Sequence, residues 1–195
     1  MRNVHRPLGL AMAVLAGVSL PTSTHSQSLP LEPIRAVARV GLHLLAGEPR
    51  PTEDERRFVD LINRERTERG LRPLTIDPVL VRAAREHSQE MRQKNYFGHL
   101  SPTAGRRTPM DRYLRALGRR PDYACVGENL YYCSVRDVER GHRALMESPG
   151  HRDNILHPPF ERVGVGIVLA DDGQFWVTQM FLATRKAAET PSSDR

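Results

Sequence analysis

Two histidines and a glutamate lie in segments rich in turn-forming residues. His99 belongs to Gly98-His99-Leu100-Ser101-Pro102, Glu128 to Gly127-Glu128-Asn129-Leu130, and His151 follows Pro149-Gly150. Glycine and proline favour turns at the protein surface, where a side chain is presented rather than buried. The three segments therefore predict a polar cleft lined by His99, Glu128 and His151.

These residue types suit a divalent metal. A neutral imidazole is a good zinc ligand, and a carboxylate can orient that imidazole or hold a metal-bound water. We predict that Zn²⁺ binds weakly through His99 and His151, with Glu128 as an outer partner or third ligand. Glu128 is also the candidate catalytic residue if the cleft performs chemistry. The alternative that both histidines only hold loops together stays open.

An enzymatic reading has less support in the sequence. A serine hydrolase would need Ser101 or Ser148 beside a histidine and an orienting acid, but neither serine lies in a Gly-x-Ser-x-Gly turn. The His-Glu-x-x-His pattern of many metalloproteases is absent from the sequence. We therefore predict a binding module, with a hydrolase, most simply a peptidase, as the enzyme alternative. A structural domain with a vestigial cleft is the third hypothesis.

The chain contains two cysteines, Cys125 and Cys133, on either side of Glu128. In an exported protein an even number of cysteines indicates a disulfide. We predict that Cys125 and Cys133 form a disulfide that closes a short loop and fixes Glu128. A Cys/His metal site would need cysteines two to four residues apart, which this spacing does not provide.

Several helices must position the cleft. Thr52 is expected to cap a helix from Glu53, and Asp77-Pro78 to start a second helix with an apolar stripe that includes His87. We expect His87 to be buried against a backbone carbonyl and His142 to pack on a later helix. Pro109 to Leu117 should form a short helix that Gly118 ends, and Ser148 should cap the helix that carries His151.

The end of the chain has the pattern of strands. Between Val163 and Leu169, apolar residues alternate with Gly164 and Gly166. Asp171-Asp172-Gly173 is expected to form a hairpin turn, and Phe175 to Leu182 the return strand. Helices come first, strands come last, and the two do not alternate, which is the pattern of an α+β fold.

The three cleft segments, in this order, resemble the bacterial branch of the CAP superfamily (cysteine-rich secretory proteins, antigen 5 and pathogenesis-related 1 proteins). Three further features carry the resemblance: Ala83-Ala84 with His87-Ser88, Val163-Gly164-Val165-Gly166, and the strand that begins at Phe175-Trp176. The resemblance covers residues 53–182. It implies a three-layer α–β–α sandwich.

The resemblance also implies that two histidines and acidic residues line a cleft that can take up zinc. His99, Glu128 and His151 match three of these positions. Many family members have a fourth, acidic position, which here falls on Ser148, and whether the neighbouring Glu147 replaces it is open. The family implies a lipid, sterol, carbohydrate or peptide ligand outside the cytoplasm.

Composition fits one exported domain. The chain has 195 residues and a net charge of +6, from 29 basic and 23 acidic residues. No stripe of alternating arginine and aromatic residues occurs, so we expect no nucleic-acid partner. Residues 1–26 have the basic start and short apolar core of a signal peptide, too short for a membrane-spanning helix.

We expect export to the periplasm or cell exterior, with no transmembrane segment left after cleavage. The ligand is unknown, and lipids and cell-envelope components are among the candidates. The predicted domains are a signal peptide (1–26), a linker with an amphipathic helix (27–52), the CAP-like domain (53–184) and a disordered tail (185–195).

Overall fold

The computed structural model describes residues 49–184. The predicted signal peptide, most of the predicted linker and the predicted tail lie outside the described residues. In chain order the elements are α1 (Glu53–Thr67), β1 (Thr75–Ile76), α2 (Pro78–Gln93), α3 (Pro109–Leu117), β2 (Ala124–Cys133), α4 (Val138–Glu147), α5 (Pro149–Leu156), β3 (Arg162–Leu169) and β4 (Phe175–Thr184).

Local capping signals set the ends of the helices. Thr52 and Glu55 form a reciprocal capping box at the start of α1, as Thr108 and Asp111 do at the start of α3. Gly118 ends α3 with a left-handed backbone, φ +74°. The predicted helix over Pro109 to Leu117 is therefore confirmed at both ends.

One helix start differs from the prediction. Ser148 is the residue before α5, but its side chain makes no capping hydrogen bond. Ser148 therefore stands at the predicted N-cap position but does not supply the expected side-chain cap. Pro149 follows it at the first helical position, where the missing N–H costs nothing because that donor has no partner within the helix.

The four strands form one mixed sheet in the order β1-β3-β4-β2. β1 runs parallel to β3, and β4 pairs antiparallel with both β3 and β2, so β2 is an edge strand. α2 and α3 pack on one face of this sheet, and α1, α4 and α5 pack on the other. The predicted α+β class and three-layer α–β–α sandwich are confirmed.

Each face of β4 belongs to a different core. Phe175, Val177 and Phe181 join the core under α1, α4 and α5, whereas Met180 and Leu182 join the core under α2 and α3. Because successive strand residues point to opposite faces, a strand covered on both sides is apolar almost throughout. No helix between residues 49 and 184 is long and apolar enough to cross a membrane.

Candidate functional site

The Glu128 carboxylate is the centre of the site. Glu128 lies within β2, opposite Met180 on β4, and the residue is only 5% exposed. Its Oε1 accepts a hydrogen bond from His99 Nδ1 at 2.9 Å, and its Oε2 accepts one from Arg112 Nη2 at 2.6 Å. Both oxygens of the carboxylate are therefore committed to protein partners.

This position corrects the expectation that Glu128 lies in a turn-rich segment. Gly127 belongs to the middle of β2, where it serves packing rather than a turn: a Cβ there would be 2.8 Å from Phe160 Cζ and 3.1 Å from Asn154 Oδ1. The strand holds Glu128 by its ladder with β4, which is a firmer support than a loop.

The predicted disulfide between Cys125 and Cys133 is wrong for this fold. The two cysteines lie at opposite ends of β2, and both are free thiols. Eight residue steps of extended strand separate their Cα atoms by roughly 26 Å, whereas the Cα atoms of a disulfide lie about 4–7 Å apart. Hydrogen bonds to β4, not a covalent link, fix Glu128.

Arg112 is the main site residue that the sequence analysis missed. It lies on α3, is 3% exposed, and donates to the backbone carbonyls of His99, Arg106 and Arg107 as well as to Glu128. The guanidinium therefore fastens the His99 loop to β2. No local sequence pattern marks it, because Glu128, the partner that makes it part of the site, lies 16 residues away on another element.

A second buried carboxylate supports the same loop. Glu90, on α2, accepts hydrogen bonds from Ser101 Oγ at 2.8 Å and from Thr103 Oγ1. Burial alone would raise its pKa, but hydrogen bonds from Thr103, Ser101, Lys94 and Tyr96 together lower the pKa of Glu90 to about 2. The Ser101 hydroxyl is bonded to a carboxylate rather than to a histidine.

His87 is buried against a backbone carbonyl, as predicted. Its Nε2 lies 3.2 Å from the Gly98 carbonyl, which can only accept, so Nε2 carries the hydrogen. Burial lowers the pKa of His87 to about 4, with a smaller opposing effect from Glu128. His87 therefore stays neutral at ordinary pH and fixes the residue before His99.

His142 packs in the interior, also as predicted. It lies on α4, is 4% exposed, and its Nε2 is 3.8 Å from a Glu65 carboxylate oxygen on α1. Burial lowers its pKa, since the charged ring would lose hydration.

His151 forms the other side of the site. It lies in the first turn of α5, is only partly exposed, and its backbone carbonyl accepts a hydrogen bond from Asn129 Nδ2 at 3.0 Å. Burial lowers the pKa of His151, and the nearby His99 lowers it further because two charged rings would repel each other. Because His99 bonds to Glu128 and His151 bonds to the adjacent Asn129, both histidines lie beside the same part of β2.

Asn154 and Asn129 join α5 to β2, the edge strand of the sheet. Asn154 Nδ2 donates to the Glu128 carbonyl at 3.1 Å and to Asn129 Oδ1 at 2.9 Å. Asn129 also donates to Gln179 on β4 at 3.2 Å. Asn154 could have been found from the sequence, since it lies three residues after His151 and therefore on nearly the same side of the helix.

The number of nearby side-chain ligands limits how the site could hold a metal ion. Among residues 49–184, no three His, Cys, Asp or Glu side chains are grouped so that they could hold a metal ion. Glu147 is exposed at the end of α4, and its side chain makes no ion pair within those residues. The residues fit a metal only as a two-histidine site, in which His99 Nε2 is free because Nδ1 faces Glu128.

Comparisons with known proteins agree with this architecture. Residues 59–181 match the model of the CAP family, described as the cysteine-rich secretory protein family. The uncharacterised protein YkwD of Bacillus subtilis is 43% identical over 128 residues, which is 66% of this chain and 46% of YkwD. The chain thus spans about half the length of this curated relative.

Two solved structures share the fold. An extracellular protein with an SCP domain from Bacillus anthracis is 32% identical, with a TM-score of 0.56 over 67% of this chain and 40% of that one. An outer surface protein of Borrelia burgdorferi is 19% identical, with a TM-score of 0.60 over 70% of this chain and 97% of that one. With its three-layer sandwich and the family match over most of the described residues, the chain belongs to the CAP family of cysteine-rich secretory proteins.

Proposed function

We propose that this protein is an extracytoplasmic binding module whose cleft, lined by His99, Glu128 and His151, engages a ligand from outside the cytoplasm. The observation that carries the proposal is the pair of hydrogen bonds that Glu128 accepts. The bond from Arg112 holds the buried carboxylate, and the bond from His99 orients the ring of that half-exposed histidine. A buried charge held by two partners is costly to assemble. Such an arrangement fits a site in which His99 must be presented in one orientation.

A divalent metal is part of the proposal. His99 and His151 would hold the ion, and Glu128 would act through His99 as the outer carboxylate that fixes the ring and strengthens its basicity. When bound, zinc would supply a Lewis-acidic position for an anionic or carbonyl group of the ligand. Two protein ligands predict weak, exchangeable binding.

Export is supported by the basic and apolar start of the sequence and by the extracellular relative from Bacillus anthracis. The chemical class of the ligand stays open between lipid, sterol, carbohydrate and peptide. A hydrolase has less support, because the Ser101 hydroxyl nearest to His99 in sequence is 5% exposed and bonded to Glu90.

The proposal is tested by extracting the protein under native conditions and identifying what it carries by mass spectrometry. We expect a small molecule or peptide that copurifies with the wild-type protein and is lost from His99→Ala and His151→Ala. An Arg143→Ala variant, changed at an exposed residue of α4, serves as the control and should keep the ligand. Equal recovery of the molecule from all four proteins would overturn the proposal.

A further inference from the structure

Positive charge is concentrated between residues 106 and 122. This segment contains six arginines, of which four, Arg107, Arg115, Arg119 and Arg120, are exposed, and only two acids, Asp111 and Asp122. The local balance is six minus two, or +4, compared with +6 for the whole chain. Such a density in one short segment makes a local positive field.

The two remaining arginines of the segment have protein partners. Arg112 is buried on Glu128, and Arg106 lies 3.5 Å from Glu86. The four exposed arginines make no ion pair with any carboxylate in residues 49–184. Their charges are therefore available to a partner outside the domain.

Arg119 and Arg120 form a ridge between two grooves. One groove of about 380 Å³ runs along α3 and is lined by Asp111, Leu114, Arg115, Gly118, Arg119 and Arg120. The second groove, of about 280 Å³, lies on the other side and shares Arg119 and Arg120. We call these two residues, with Arg115, the arginine ridge.

The chemistry of the ridge fits phosphate. A guanidinium offers paired N–H donors that match two oxygens of a phosphate, and it holds its charge at any physiological pH. Carboxylates also line the grooves: Asp111 the first, and Asp122 with Asp77 the second, where Asp77 pairs with Arg162 at 3.2 Å. Arginines outnumber the carboxylates in each groove, so the local charge stays positive.

We propose that the arginine ridge docks the domain on a membrane surface that contains anionic phospholipids, a second binding surface distinct from the cleft. The ridge and the cleft are mechanically joined. Arg112, on the same helix as Arg115, holds both the loop at Arg106 and Arg107 and the Glu128 carboxylate. Docking through the ridge would therefore hold the cleft at a fixed orientation to the membrane.

The test uses the full chain and vesicles of phosphatidylcholine with or without phosphatidylglycerol. We expect binding that depends on phosphatidylglycerol and weakens as salt rises, because exposed charges are screened. The double variant R119E/R120E should bind anionic vesicles about 30-fold more weakly or worse, since each basic residue near an anionic surface contributes measurably. Neutral vesicles measure any binding that does not depend on lipid charge.

The matched control is R140E/R143E, which makes the same change of charge at exposed arginines of α4. It should keep most of the binding, and melting curves of both variants would verify the fold. Equal losses in the two double variants would overturn the proposal, because net charge alone would then explain binding. So would ridge-dependent binding of inorganic polyphosphate without binding of anionic vesicles, which would identify a soluble polyanion as the partner.

Discussion

At the scale of single residues, the site depends on one buried ion pair. Glu128 and Arg112 are 5% and 3% exposed, and removing one member of such a pair leaves the other charge buried without compensation. We expect Arg112→Met to lower the free energy of unfolding by about 3–5 kcal/mol. Urea denaturation measures this loss.

The control for that variant is Arg115→Met on the same helix. Arg115 is exposed and has no ion-pair partner within the described part of the chain, so its replacement should change stability by less than about 0.5 kcal/mol. Similar effects of the two substitutions would show that the Arg112–Glu128 pair does not support the fold.

The residue scale also shows what a sequence can reveal about the site. His99, Glu128 and His151 were found from their types and their neighbours, and the hydrogen bond from His99 to Glu128 joins two of them. Arg112 could not be found, because a buried arginine in a helix looks like an exposed one until its long-range partner is known. Its partner Glu128 lies on another element of the fold.

At the scale of secondary-structure elements, the backbone of α2 packs directly against the backbone of β3 at Gly166. A Cβ on Gly166 would be 2.1 Å from Arg85 N and 2.2 Å from Ala84 C, both backbone atoms that cannot move aside cheaply. We expect Gly166→Ala to destabilise the fold by about 3 kcal/mol or more. Thermal and urea unfolding would measure it.

Gly150→Ala is the matched control, since a Cβ at this helical glycine meets no atom within 4 Å. It should leave stability unchanged or slightly higher, because alanine favours helices. If Gly166→Ala were as stable as Gly150→Ala, the close approach of α2 to β3 would be disproved.

The cysteines test the geometry of β2. We expect two titratable thiols in unfolded, unreduced protein, because an extended strand keeps Cys125 and Cys133 far apart. The stability of the wild type should respond to a reductant no more than that of the double variant Cys125→Ser/Cys133→Ser, which has no thiols. A monomer without free thiols and with a mass lower by two hydrogens would contradict the strand.

Element boundaries were predictable where the signal is local. Thr108, Pro109 and Gly118 define α3 from the sequence because capping and left-handed turns depend on neighbours in the chain. β2 was not predictable, since Gly127 resembles a turn residue. The lack of a side chain at Gly127 leaves room for Phe160 and Asn154, which lie far from Gly127 in the sequence.

At the scale of the whole molecule, buried histidines make stability depend on pH. The pKa of His87 falls to about 4 in the folded state, mainly through burial, while an unfolded histidine titrates near 6.5. The stabilisation from the neutral ring is complete above pH 6.5 and is lost as pH falls to about 4. It amounts to about 3 kcal/mol.

Urea unfolding at several pH values between about 4 and 7 tests this expectation with wild type and His87→Gln. The glutamine keeps an N–H donor for the Gly98 carbonyl but cannot take up a proton in this range. Its stability should therefore change less steeply with pH, while His142, whose pKa is also lowered, retains part of the slope. Identical slopes would show that His87 does not set the acid limit.

The central claim, that His99 and His151 form one metal-capable cleft oriented by Glu128, is tested most directly by calorimetric zinc titration of wild type, His99→Ala and His151→Ala. We expect weak binding to wild type near neutral pH and at least about tenfold weaker binding to each variant. Binding should weaken as pH falls below about 6.5, although the lowered pKa of His151 keeps that ring neutral further into acid. Equal zinc affinity in all three proteins would contradict the claim and would show that the histidines serve only to hold the loops.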